Sequence, residues 1–206
     1  MNFKKISAIL LSVIAVVSSA SCGNGASGQA GADSPRENDS VIIAIGSEPE
    51  TLDPTQGWGH GNSPIVQSTL VRYTSDLTFE NDLATGYSLS EDGLTWTFTL
   101  RDDAYFTDGE KVTASDVAFT LETAKKAQSS VDLTYMESAS APDDTTVVIT
   151  LSRPTSVFLN TLASIGIVPE HAYDEDYGTH PVGSGPYRFV EWDPQEQIIF
   201  TANENY

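Results

Sequence analysis

The sequence predicts an α/β fold, and three observations carry that prediction. Leu94 to Leu100 alternates strictly, with Leu94, Trp96, Phe98 and Leu100 on one face and three threonines on the other, which is the pattern of a half-buried strand. Ala114 to Ala127 follows a Thr113/Asp116 capping pair and places Val117, Leu121 and Lys125 one turn apart, as in an amphipathic helix. Val41 to Ile45 is a short apolar run stopped by Gly46, as expected of a strand buried on both faces. Strand and helix alternate along the chain.

The N-terminus precedes this pattern. Met1 to Lys5 carries two lysines, Ile6 to Val17 is almost wholly apolar, and Ser18 to Ser21 are small. That order describes a secretory signal whose apolar run is short for a bilayer span. Cys22, the chain's one cysteine, follows at once, with no second thiol to pair with it. A signal ending on a lone cysteine resembles a bacterial lipoprotein signal, which implies that Cys22 is acylated and anchors the protein to the cell membrane on its extracytoplasmic side. Such signals usually place leucine three residues before the cysteine, and here that position is Ser19. The stretch from Gly23 to Ser40 is rich in Gly, Ala, Ser, Asn and Asp without apolar periodicity and reads as a flexible tether. The chain therefore divides into a signal over 1–21, a tether over 22–40 and a folded part over 41–206.

Within the folded part, Leu52-Asp53-Pro54 turns the chain, and the glycines from Gly57 to Gly61 exclude a helix. Pro64 to Arg72 suits a helix with proline in its first turn. Thr107 to Glu110 is a turn, and Lys125 is expected to lay its stem along the edge of the apolar helix face with its charge in water. Thr146 to Leu151 is a β-rich run, Thr155 to Leu162 a short helix, and Gly185–Trp192 with Gln197–Ala202 a strand pair joined through Asp193-Pro194-Gln195. Gly183, Gly185 and Pro186 allow a tight backbone path, with Tyr187 expected to pack its ring inward.

Charge narrows the partners. The 206-residue sequence has a net charge of −19, and loss of the signal leaves 8 lysines and arginines against 29 aspartates and glutamates, a net charge of −21. Such a chain does not seek phosphate backbones, which argues against nucleic acid. His60, His171 and His180 have no metal-protease spacing, and Gly183-Ser184-Gly185 lacks the rest of a nucleophile elbow. The expectation is a non-enzymatic protein with no cofactor and no metal centre.

Four segments carry a resemblance. GSEPETLDP at Gly46–Pro54, DGLTWTFTLRDDAYFTDGEKVTASDVAFTLE at Asp92–Glu122, IVPEHAY at Ile167–Tyr173 and VGSGPYRF at Val182–Phe189 resemble the extracytoplasmic solute-binding proteins of the dipeptide, oligopeptide and nickel ABC importers. The resemblance implies a type II periplasmic-binding-protein fold, with part of the first lobe and its inserted subdomain present and the second lobe absent. It also implies capture of a peptide or related small solute for an ABC importer permease. The alternative is a truncated, transport-incompetent surface interaction module. In the family the loop after Leu-Asp-Pro faces the cleft, so Gly57, Trp58, Gly59 and His60 are the candidate solute contacts, with Leu133 and Tyr135 on the same wall. The arginines that nickel importers place before the regions matching Asp132 and Ile167 are missing here, where Gln128-Ser129-Ser130 and Leu162 to Ile165 stand. That departure disfavours a nickel complex.

Overall fold

The computed structural model describes residues 47–59, 64–128 and 130–206. The chain divides into a unit over Met1–Ala44 and one over Ile45–Tyr206, and every described residue belongs to the second. The signal, the tether, Cys22, the Val41–Ile45 strand and His60 lie outside the described residues.

The main layer is a four-stranded antiparallel sheet in the order β3-β4-β6-β5, formed by β3 (Ala84–Leu89), β4 (Thr95–Leu100), β5 (Met136–Asp143) and β6 (Thr146–Leu151). The alternation in β4 is realised: Trp96, Phe98 and Leu100 are buried while Thr99 is exposed. Central β6 repeats the pattern with Val147, Ile149 and Leu151 inward, and Trp96 sits opposite Ile149 in the register. Helix α1 (Ala114–Ala127) packs on β5 and β6 through Val117, Leu121 and Ala124, all fully buried. Lys125 is half-buried, and its Nζ donates to the Glu137 carbonyl at 2.7 Å.

The start of α1 shows why the helix begins there. Asp116 Oδ2 accepts from the Thr113 backbone N–H at 2.9 Å and from Thr113 Oγ1 at 2.8 Å, while Oδ1 accepts from the Glu170 N–H at 2.9 Å. One carboxylate thus satisfies an orphan helix-end donor and ties a distant loop to the helix. Asp116→Ala is expected to cost about 2 kcal/mol through loss of the cap and of the Glu170 bond. The check is the urea midpoint, which should fall with an unchanged slope; an unaltered midpoint contradicts the role.

The helix expected over Pro64–Arg72 does not form. That segment runs extended and irregular into β1 (Val71–Tyr73), which pairs with β2 (Phe79–Asn81). Its backbone groups are taken by other segments: Ile65, Val66 and Ser68 carbonyls accept from Tyr187, Gly185 and Ile167, and the Thr69 N–H donates to Asp82 Oδ2. Tertiary pairing overrides the local pattern, as β-branched Ile65 and Val66 permit. The remaining elements are α2 (Phe158–Leu162), shorter than expected, and a hairpin of β7 (Tyr187–Asp193) with β8 (Gln197–Ala202). Tyr187 corrects the expectation of an inward ring, being 45% exposed. The hairpin's two strands form a sheet of their own, and none of their residues is fully buried. Among the described residues no helix is long and apolar enough to cross a membrane.

Acid sensitivity follows from the carboxylates. Hydrogen bonds hold Glu48 (from the Gln195 N–H and Trp192 indole), Asp103 (from Arg101), Asp132 (from Thr134) and Asp143 (from Thr145) below their ordinary values. Their contribution is present above the unfolded values and lost as pH falls through the folded ones. Asp82 runs the other way, because burial raises it. Several lowered groups against one raised group predict that the melting temperature falls as pH drops below the ordinary carboxylate range, and a flat profile from neutral to acid contradicts this.

Candidate functional site

The segment from Thr51 to Gly59 is built around Asp53. The side chain is 1% exposed and caps a 3₁₀ turn at Pro54–Gln56. Its Oδ1 accepts from the Thr55 N–H and from Thr55 Oγ1, each at 2.8 Å. Its Oδ2 accepts from Gln56 Nε2 at 3.0 Å and from the Tyr173 hydroxyl at 2.7 Å. The Asp53 carbonyl accepts from the Gln56 and Trp58 N–H groups, both at 3.1 Å, so the turn and the first residue of the following loop share one anchor. Leu52 N–H donates to the Gly178 carbonyl at 2.7 Å, fixing the other end.

The loop then turns on two left-handed glycines, Gly57 at φ 104° and Gly59 at φ 75°. A side chain on Gly57 would collide with Ser130 Oγ, so the loop lies directly against the segment that follows α1. On Gly59 a Cβ would sit 3.3 Å from the Pro64 ring. Glycine is needed at both for backbone conformation, and at Gly57 also for space. Trp58 between them is half-buried, with its indole Nε1 out of solvent and without a hydrogen-bond partner among the described residues. A buried donor in that state calls for an acceptor.

The other candidates separate. Leu133 is 4% exposed and belongs to the hydrophobic core, so its side chain is committed to packing. Tyr135 is half-buried and lies beneath Arg153, whose guanidinium carbon is 3.6 Å from the ring centroid, a cation–π arrangement. The structure therefore sets Gly57 against Ser130 and Gly59 against Pro64, and leaves Leu133 in the core and Tyr135 under Arg153 farther along the segment after α1.

Beside the Asp53 turn lies a groove of about 600 Å³ lined by Thr51, Gln56 and Tyr173 and edged by Glu50, Asp174, Glu175 and Asp176. Burial raises the Tyr173 hydroxyl above its ordinary value, so it remains a proton donor to Asp53. Burial raises Tyr177 further, and that hydroxyl donates to the Val182 carbonyl at 2.8 Å. In the sequence Asp53 reads as a turn residue only, and Tyr173 does not stand out as a site residue. The Leu-Asp-Pro-Thr order carried the signal for Asp53, because aspartate before Pro-Thr favours a side-chain cap. Nothing local marks Tyr173 as its partner 120 positions away. Among the described residues no three His, Cys, Asp or Glu side chains are grouped to hold a metal ion.

Comparison with known proteins places the chain. The family model described as bacterial extracellular solute-binding proteins, family 5 middle, matches residues 78–206. Protein XP55 of Streptomyces lividans is 40% identical over 181 residues, 82% of this chain and 33% of that protein. The probable D,D-dipeptide-binding periplasmic protein DdpA of Escherichia coli (strain K12) is 32% identical over 188 residues, 82% of this chain and 36% of that protein. The crystal structure of NikZ from Campylobacter jejuni in complex with Ni(L-His) superposes with a TM-score of 0.75 at 34% identity, covering 81% of this chain and 36% of that one. The chain thus spans about a third of the length of these relatives, and its architecture is a partial α/β fold of the type II periplasmic binding-protein class. On the family match and these identities, the chain belongs to the bacterial extracellular solute-binding proteins of family 5.

Proposed function

We propose that this chain forms the N-terminal part of the substrate-binding component of an ABC importer, in which the loop Gly57–Trp58–Gly59–His60 contributes one wall of the solute site. The carrying observation is the loop itself: two left-handed glycines and a half-buried tryptophan whose indole N–H has no partner among the described residues, with the Trp58 backbone N–H held on the carbonyl of buried Asp53. Glycines permit close approach of a ligand to the backbone, and the indole offers an apolar platform with one donor. The protein is non-catalytic on this reading and delivers its solute to a membrane permease. Cys22 carries the lipid anchor after removal of residues 1–21, with 22–40 as the tether.

Peptide is the favoured solute class. Relatives named for D,D-dipeptide binding and glutathione binding support it, and the absence of arginine at 128–130 and 162–165 weighs against a nickel complex. If a complete receptor binds at about 1 μM, near −8 kcal/mol, half of those contacts leave an affinity of about 1 mM. The second reading is a surface interaction module that keeps the fold without transporting.

The experiment is solute-dependent thermal stabilisation of the product as isolated from its own cells, with dipeptides, tripeptides, glutathione and Ni(L-His) as probes. Saturation at about 100 times Kd adds about 2.7 kcal/mol of stability, a rise of several degrees. Trp58→Ala should abolish most of that rise without lowering the ligand-free melting temperature by more than a few degrees. If none of the four probe classes raises the melting temperature at millimolar concentration, the transport reading fails and the surface-module reading stands.

A further inference from the structure

We infer that Asp53 is a positioning residue for the solute loop: it sets affinity by holding Trp58 in place and does not itself touch solute. The inference deepens the proposed function and rests on that reading of the loop. Asp53 is 1% exposed, yet no lysine or arginine pairs with it among the described residues. Neutral donors surround the carboxylate instead, from Thr55, Gln56 and Tyr173.

The main-chain half of the device is the Asp53 carbonyl, which receives the Trp58 N–H at 3.1 Å. The side-chain half is the bond to Tyr173, whose ring packs edge-on against Phe119 of α1 at 5.3 Å and beside Tyr177 at 5.1 Å. Tyr173 is thereby fixed by the helix layer, and Asp53 transfers that rigidity to the loop. A mobile Trp58 would have to be ordered when solute binds, at a cost in affinity. Asparagine at this position keeps the shape but replaces one acceptor with a donor, which then faces Thr55 N–H or forces Gln56 and Tyr173 to turn away.

The test uses the protein as produced in its own cells, labelled with 5-fluorotryptophan, with the fluorine resonances of Trp58, Trp96 and Trp192 assigned by tryptophan-to-phenylalanine substitution. In Asp53→Asn the Trp58 resonance is expected to shift and broaden while those of Trp96 and Trp192 stay in place. Tyr173→Phe, which deletes only the hydroxyl, should reproduce the change in part and decides the matter if Asp53→Asn fails to fold. Titration with trialanine and glutathione should move the wild-type Trp58 resonance, with affinity weakened about tenfold in Asp53→Asn, or about 1.4 kcal/mol. A Trp58 resonance unchanged in both variants overturns the inference. So does equal movement of all three resonances, which marks a general role in the fold. A wild-type Trp58 that responds to neither probe counts against the solute reading itself, whatever the variants do.

Discussion

Gly183→Ala is expected to destabilise the protein by about 3–5 kcal/mol, through overpacking together with the loss of buried hydrogen bonds. A Cβ added there would lie 2.6 Å from the Val66 carbonyl carbon and closer still to its oxygen. Val66 is fully buried and cannot move outward. Its carbonyl is also engaged, accepting from the Gly185 N–H at 2.8 Å, while Ser68 Oγ donates to the Ser184 carbonyl and the Thr107 N–H to the Gly183 carbonyl. Shifting either segment to admit the methyl group therefore breaks the seam that joins residues 64–68 to the Gly-Ser-Gly-Pro run. Gly86→Ala supplies the control, because a Cβ there meets nothing within 4 Å. Urea unfolding of both variants checks the claim, and a Gly183→Ala midpoint no lower than that of Gly86→Ala contradicts it.

Phe98→Ala is expected to cost a comparable 3–5 kcal/mol, the range for truncating a large buried aromatic side chain. Phe98 is fully buried at the centre of β4, with ring centroids 6.1 Å from Trp96 and 5.4 Å from Tyr87. Neighbours on both adjoining strands, Tyr87 and Val147, stand opposite it in the register. No local collapse fills the resulting space without moving the sheet. Tyr87 belongs to the same aromatic group but sits on edge strand β3, 43% exposed. Tyr87→Ala should cost about 1 kcal/mol. Equal losses at the two positions would show that β4 is not the centre of the core.

These two sites also show which features the sequence made legible. The β4 alternation and the Thr113/Asp116 cap are local patterns, and both survive in the structure because burial and capping act on neighbouring residues. Gly183 and Gly185 are readable as a tight path, although the irregular segment at Val66 and Gln67 that they press against is not. Strand β5, Met-Glu-Ser-Ala-Ser-Ala-Pro-Asp, carries weak β propensity and a proline. It forms because β6 supplies a pairing edge, and Pro142 is tolerated because β5 is itself an edge strand. The stretch from Pro64 to Arg72 shows the same effect in reverse: Ile65, Val66 and Ser68 bond the distant Tyr187, Gly185 and Ile167, and Thr69 and Leu70 bond the segment at Asp82–Ala84, so no helix forms. At the candidate site, the glycines of the loop announced themselves through composition. The Asp53–Tyr173 bond did not, since long-range polar pairing leaves no periodic trace.

The open state of the β7–β8 hairpin bears on the same account. Phe189, Trp192, Ile198, Ile199 and Phe200 are only half-buried, and Val190 is 50% exposed. An isolated two-stranded hairpin has marginal stability in water, so this region should exchange its amide hydrogens sooner than β4 and β6.

The most direct measurement of the account is the intact mass of the product isolated from the membrane fraction of its own cells. A transporting receptor with a complete solute cleft is expected as a species well above the 22.1 kDa of this 206-residue chain, beginning at a lipid-modified Cys22. A product running from Cys22 to Tyr206 alone would contradict the transport role, and an unmodified Cys22 would contradict the anchor.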